Sequence, residues 1–224
     1  MYQTTLSSLL PLVELCEAHQ LPLDEHKLKQ FEHYLELLLR FNKSMNLIGP
    51  LSAHQIVEEL LCDSLMPVTG VPPTGPILDI GSGAGLPGIP IKILYPECPI
   101  TLVEPRKKRA SFLRIVIAKL SMEMCEIMNM RHEDARDLGH DYVISKAFQP
   151  PLQWIETAAA VASARGKIVC MTRSSSQPEL DARAEELGFV RCATVESPPL
   201  ERELEAPKGE APEDRVTYIY ERSV

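Results

Sequence analysis

The 224-residue sequence has no run of eighteen apolar residues, so no membrane-crossing helix is expected. Its first segment, residues 1–20, has no basic leader and carries Glu14 and Glu17. It reads as an amphipathic helix rather than a signal peptide. Cys16, Cys62, Cys98, Cys125, Cys170 and Cys192 are all at least 22 residues apart. Without a CxxC pair, an HExxH or a Cys/His cluster, no metal site is expected. The cysteines read as reduced thiols, most of them buried among apolar neighbours, in a cytoplasmic protein. There is no internal repeat and no Ser/His/Asp or Cys/His pattern for nucleophilic catalysis.

What is present suits a globular chain: 45% apolar and 24% charged residues, with a net charge of −8. That charge is unevenly spread. Residues 179–214 hold eleven acids and four bases, whereas residues 106–119 (RKKRASFLRIVIAK) hold six bases and no acid. The basic run is either a solvated helix face or an electrostatic footprint for an anionic polymer.

The chain changes texture near residue 69. Before it, three helical segments are expected. In the second, Asp24 is a plausible N-cap and Leu28, Phe31, Leu35 and Leu38 recur at helical spacing. The third, 52–66, should stop at Pro67, and Thr69–Pro76 reads as a linker. Beyond it, strands are expected at 77–80, 100–104, 125–129, 142–146, 167–171, 189–195 and 215–221. Helices are expected near 86–94, 107–120, 151–164 and 177–187. This alternation predicts an α/β fold: a seven-stranded, mostly parallel, Rossmann-like sheet with helices on both faces. The last two strands should pair antiparallel, across a Pro- and Glu-rich connection at 197–214. An N-terminal helical extension (1–68) and a main domain (69–224) are expected.

The segment Ile77-Leu78-Asp79-Ile80-Gly81-Ser82-Gly83-Ala84-Gly85-Leu86-Pro87-Gly88 runs from an apolar strand into a glycine turn. Glycines let a backbone take positive φ and approach a ligand closely. Such turns at strand ends hold ligands in open parallel sheets. Gly83-x-Gly85-x-x-Gly88 matches a dinucleotide pattern, but it begins three residues beyond the strand. Asp79-x-Gly81-x-Gly83-x-Gly85 instead matches S-adenosylmethionine-dependent methyltransferases. There, Asp79 can order the turn and receive an ammonium group. Glu104, ending the next strand, can accept from a ribose diol with either cofactor. The methyltransferase reading is favoured, and a nicotinamide-dependent dehydrogenase stays as the alternative. Asp134, beside His132 and Glu133, is either an adenine-side acceptor or a cap. Gln149-Pro150-Pro151-Leu152 is a degenerate copy of an amine-methylation motif and more simply starts a helix, so amine methylation is not expected.

The chain resembles the bacterial glucose-inhibited division protein B family, whose members methylate N7 of one guanosine in 16S rRNA. The matching residues are Asn42-Lys43-x-x-Asn46-Leu47, Asp63-Ser64, Asp79 to Pro90, Lys108-Arg109 with Phe112-Leu113, Val143 to Phe148, and Asp214-Arg215. The resemblance implies the cofactor S-adenosyl-L-methionine, with contacts at Gly81, Leu86, His132, Glu133 and Lys146. Asp79, Gly83, Gly85 and Glu104 join them from the motif reading. It departs from the family at Leu60 (usually His), Lys146 (usually Arg) and Thr172 (usually Lys). Lys146 keeps the charge without the planar fork.

N7 is a neutral nucleophile with a free lone pair, so no general base is needed. Asn42, Asn46 and Asp63 are candidates for positioning the guanine, or, for the asparagines, for capping a helix. Lys43, Arg106, Lys107, Lys108, Arg109, Arg114 and Arg173, with Arg40, are candidates for rRNA phosphates. The expected partner is 16S rRNA or a precursor of the small ribosomal subunit. No DNA or membrane partner is expected, and the protein should be a monomer. A cofactor-binding protein without activity, or a methyltransferase of another RNA or a small molecule, stand as alternatives.

Overall fold

A computed structural model describes residues 7–135, 139–200 and 214–223. The start of the first expected helix (1–6) and most of the acidic connection (201–213) lie outside the described residues.

The helical part opens with α1 (Leu10–Ala18) and the long α2 (Glu25–Met45). The Asp24 side chain accepts from the Lys27 amide at 2.8 Å and starts α2. Asn46, with φ of 47°, ends it in the left-handed conformation. One face of α2 buries Phe31, Tyr34, Leu35 and Leu38. Next come α3 (Ala53–Ile56), begun by a Ser52/Gln55 capping box, a π-helix (Val57–Cys62), and α4 (Asp63–Gly70). The expected stop at Pro67 is corrected: the helix runs through it to Gly70. Pro67 has no amide hydrogen to give to the carbonyl four residues back, yet the helix continues past it for three residues.

The seven strands are β1 (Ile77–Ile80), β2 (Ile100–Val103), β3 (Cys125–Met128), β4 (His140–Ser145), β5 (Ala162–Arg173), β6 (Phe189–Glu196) and β7 (Arg215–Arg222). They lie in the order β3-β2-β1-β4-β5-β7-β6. The first five are parallel, and β7 runs antiparallel between β5 and β6. Every residue of β1 and β2 is buried, as central parallel strands require. Helices α5 (Gly88–Leu94) and α6 (Lys107–Lys119) share one core with α2, through Phe31, Leu35, Ile89 and Phe112. Helices α7 (Pro151–Ala159) and α8 (Gln177–Glu186) cover the other face, around Trp154, Ile155 and Leu180.

A second correction concerns the expected helix end at 164 and strand start at 167. Helix α7 stops at Ala159, and β5 begins at Ala162. Tertiary partners override the alanine-rich propensity. Ala162 pairs with His140 of β4, and the Arg222 guanidinium donates to the carbonyls of Ala159, Ala162 and Ser163.

Candidate functional site

The glycine loop is built from the strands below it. Asp79 is fully buried, and its Oδ2 accepts from the Gly88 amide at 3.1 Å. The Ser82 hydroxyl donates to the Asp79 carbonyl at 2.9 Å. Burial pushes the Asp79 carboxyl up to about 7, against the Gly88 hydrogen bond that lowers it. Its Oδ1 is buried without a hydrogen-bond partner. Glu104, at the end of β2, is buried and binds two amides: Oε2 accepts from Gly83 at 2.9 Å, Oε1 from Arg106 at 2.7 Å. The two acids thus hold the loop from two sides.

Gly81, Gly83 and Gly85 have φ of 75°, 59° and 96°. A side chain at Gly81 would also place its Cβ 2.5 Å from the Phe148 ring. Tyr34 of α2 adds a tie from the helical part: its buried hydroxyl donates to the Ala84 carbonyl at 2.8 Å.

Because strand order follows β3-β2-β1-β4-β5, the strand ends lay out three adjoining cavities. The first, of about 340 Å³, lies past β3 and holds Arg131, His132 and Glu133 with Gly81, Pro105, Phe148 and Gln149. The second, of about 510 Å³, lies over the glycine loop and shares Gly81, Pro105 and Phe148 with the first. Its further walls are Leu47 and Ile48, Ser82 to Ala84, Leu86, Glu104, Arg106, Arg109, Lys146 and Ala147. The third, of about 400 Å³, shares Lys146 and Ala147 with the second and opens onto β5 and β7. Ala147 has φ of 53°, a strained conformation for a residue with a Cβ.

Between the second and third cavities sits a small ion cluster. Asp63 Oδ2 pairs with Lys146 Nζ at 2.8 Å, and Oδ1 with Arg215 Nη1 at 2.6 Å. Lys146 also donates to the Glu59 carbonyl of the π-helix at 3.3 Å.

Most of the expected cofactor residues therefore converge. Gly81, Gly83, Leu86, Glu104 and Lys146 line the central cavity, and His132 and Glu133 its neighbour. The side chain of Asp79 and the backbone of Gly85 lie beneath the loop. A Cβ on Gly85 would meet Ile89, Leu113 and Tyr34. Arg106 and Arg109 reach the central cavity, while Lys107, Lys108 and Arg114 are exposed on the same helix. Asp63 and Arg173 line the third cavity. Asn42 takes its capping role: Oδ1 accepts from the Ile48 amide at 2.9 Å and Nδ2 donates to the Gly49 carbonyl. Lys43 and Asn46 are exposed at the end of α2. Sequence reasoning missed Tyr34, which its spacing marks only as core, and missed that Arg215 meets Asp63 across 152 positions.

Among the described residues, no group of His, Cys, Asp and Glu is arranged to hold a metal ion. Burial raises the thiols of Cys16 to about 11 and of Cys62, Cys125 and Cys170 to about 12, so none is an activated nucleophile.

A doubly wound sheet with a glycine loop after β1 and an acid ending β2 defines an S-adenosylmethionine-dependent methyltransferase of the Rossmann-like class. Solved structures agree on the fold. The Lactobacillus delbrueckii ribosomal protein L11 methylase matches with a TM-score of 0.54 and 10% identity, over 78% of this chain and 81% of that one. M. jannaschii TYW2 in complex with AdoMet matches with a TM-score of 0.50 and 17% identity, over 66% of this chain and 68% of that one.

The chain belongs to the rRNA small subunit methyltransferase G family (GidB), whose model matches residues 27–204. The ribosomal RNA small subunit methyltransferase G of Streptococcus pneumoniae serotype 19F is 32% identical over 174 residues, 74% of this chain and 73% of that protein. The protein of that name from Desulforamulus reducens is 35% identical over 147 residues, 61% of this chain and 60% of that protein. The cofactor is S-adenosyl-L-methionine. The residues fit it: Gly81, Gly83 and the buried Glu104 line the central cavity, the Oδ1 of Asp79 is buried without a partner beside it, and the two joined cavities suit an extended ligand.

Proposed function

We propose that the protein methylates N7 of a single guanosine in 16S rRNA, with rRNA or a small-subunit precursor as substrate. It would act as a cytoplasmic monomer without a DNA or membrane partner. Residues 1–68 would serve as a helical extension of the methyltransferase domain 69–224.

One observation carries this reading. The basic run does not point away from the site: Arg106 and Arg109 line the central cavity itself, and Lys107, Lys108 and Arg114 continue outward along α6. Phosphates held along that helix would bring an RNA strand beside the methyl donor. Arg173, Arg40 and Lys43 would extend the same track.

S-adenosylmethionine, when bound, supplies an electrophilic methyl group on a sulfonium. The chain's own contribution is alignment. Glu104 would meet the ribose hydroxyls, His132 and Glu133 the adenine side, and the Gly81–Gly85 turn the methionine. The third cavity would take the guanine, with Asp63, Lys146 and Arg215 at its junction with the cofactor space. N7 would bond to the methyl through its own lone pair while the methyl–sulfur bond breaks and the sulfur leaves as a neutral thioether; no proton is lost, so these residues need supply no base. Their task is orientation and a fixed electrostatic setting.

The test is transfer of labelled methyl groups to small ribosomal subunits and to naked 16S rRNA, mapped by borohydride and aniline cleavage. Cleavage at one guanosine, absent with a Gly83→Asp variant, is the expected result. Cofactor binding without any methylated RNA would overturn the reading in favour of a protein that binds and does not transfer.

A further inference from the structure

Two side chains of α2 bond to two separate segments that line the central cavity. Tyr34 donates to the Ala84 carbonyl inside the glycine loop. Asn42 accepts from the Ile48 amide and donates to the Gly49 carbonyl, and Leu47 and Ile48 form the facing lip of the cavity. Eight residues separate them in sequence, about 12 Å along a helix at 1.5 Å per residue. One helix therefore ties two segments of the cavity wall.

The loop needs such a tie. Its three left-handed residues, Gly81, Gly83 and Gly85, alternate along the turn, and bonds both inside and outside the turn hold them. Asp79 and Glu104 bind the amides of Gly88 and Gly83. Within the turn, Gly85 and Leu86 donate to the Ser82 carbonyl. The Ala84 carbonyl is held by Tyr34, from the helical part that precedes the sheet. The phenol packs closely: a Cβ on Gly85 would stand 3.1 Å from its oxygen.

We propose that α2 belongs to the cofactor-binding apparatus, with Tyr34 and Asn42 as positioning residues that set the loop and the lip at the spacing the methyl donor needs. Asn42 then acts through Ile48 and Gly49 rather than by touching guanine. This rests on the cofactor reading of the central cavity and is independent of which RNA is methylated.

The test is calorimetric titration of S-adenosylmethionine into the purified full-length chain without RNA, paired with steady-state kinetics on small subunits. Tyr34→Phe removes one buried hydrogen bond and keeps the ring. Loss of such a bond is expected to raise the cofactor Kd by about ten-fold. Asn42→Ala should do the same, and Asn42→Asp, which keeps the acceptor for Ile48, should sit nearer the unchanged protein. Tyr142→Phe is the control: its hydroxyl is buried without a partner, so the Kd should not move. An unchanged Kd in Tyr34→Phe and Asn42→Ala, whatever their melting temperatures, would overturn the proposal. An Asn42→Ala variant that loses kcat on subunits at an unchanged cofactor Kd would return Asn42 to the guanine. If the unaltered chain binds cofactor normally but methylates no RNA, the rRNA reading fails and this one stands.

Discussion

Replacing Asp63 by asparagine should cost more stability than removing either cation it binds. The cluster holds one carboxylate between Lys146 at 2.8 Å and Arg215 at 2.6 Å. The three side chains are only 12–19% exposed. With Asp63 present the cluster carries one net positive charge; with asparagine it carries two, held close together in a poorly hydrated place. Breaking a buried pair by removing one partner costs 3–5 kcal/mol, and partial exposure lowers that to about 3 kcal/mol here. For a chain of this length that is a fall in Tm of about 6–12 °C. Lys146→Met leaves Asp63 paired with Arg215 and neutralises the cluster. It loses the ion pair and the hydrogen bond to Glu59, about 1 kcal/mol. The double variant Asp63→Asn/Lys146→Met should therefore lose less than the sum of the single variants. Urea denaturation of the three variants at pH 7.5 or so reads all of this. A Lys146→Met loss equal to or larger than that of Asp63→Asn would refute the charge argument.

Gly81→Ala sets a Cβ 2.5 Å from the Phe148 ring at a φ of 75°, and should cost about 1–3 kcal/mol of stability and most of the cofactor affinity, read by calorimetry. Charge reversal at Lys107 and Lys108, both exposed, should lower methylation of small subunits and flatten its salt dependence, while the cofactor Kd stays put. Asp79 shifts from an ordinary 3.8 to about 7 in the fold. Between those values the native state keeps a proton that the unfolded chain has released, so this group makes stability fall as pH rises from 4 to 7. Asp79→Asn should remove a slope of up to about 1.4 kcal/mol per pH unit. His140 acts with the opposite sign. Burial lowers its pKa below 6.5, so the unfolded chain takes the proton first and stability drops as pH falls below 6.5. Urea midpoints at pH 5, 6, 7 and 8, with Asp79→Asn and His140→Gln, separate the two.

The cofactor side was legible in the sequence because its residues are local. Asp79 to Gly88 form one strand and one turn, and Glu104 ends the next strand, so periodicity and spacing are enough to place them. The strand and helix alternation likewise follows from local patterning, down to the antiparallel pairing of the last two strands. Helix ends were less secure. The helix that runs on through Pro67 carries no local signal for doing so, and the early start of β5 is held by Arg222, a partner far along the chain.

The sequence by itself determined the class of fold, the glycine loop with its two acids, and the basic run. Each is written in consecutive residues, whose backbone preferences and charges act over a few positions. Only the tertiary structure decided which way these features face. Strand order sets three cavities side by side, Arg106 and Arg109 at the start of α6 come to border the central one, and packing of α2 puts Tyr34 against the loop. It also brings Asp63, Lys146 and Arg215 into one cluster from three distant segments. A tyrosine at helical spacing reads as core until the partner of its hydroxyl is known, and no local pattern supplies that partner.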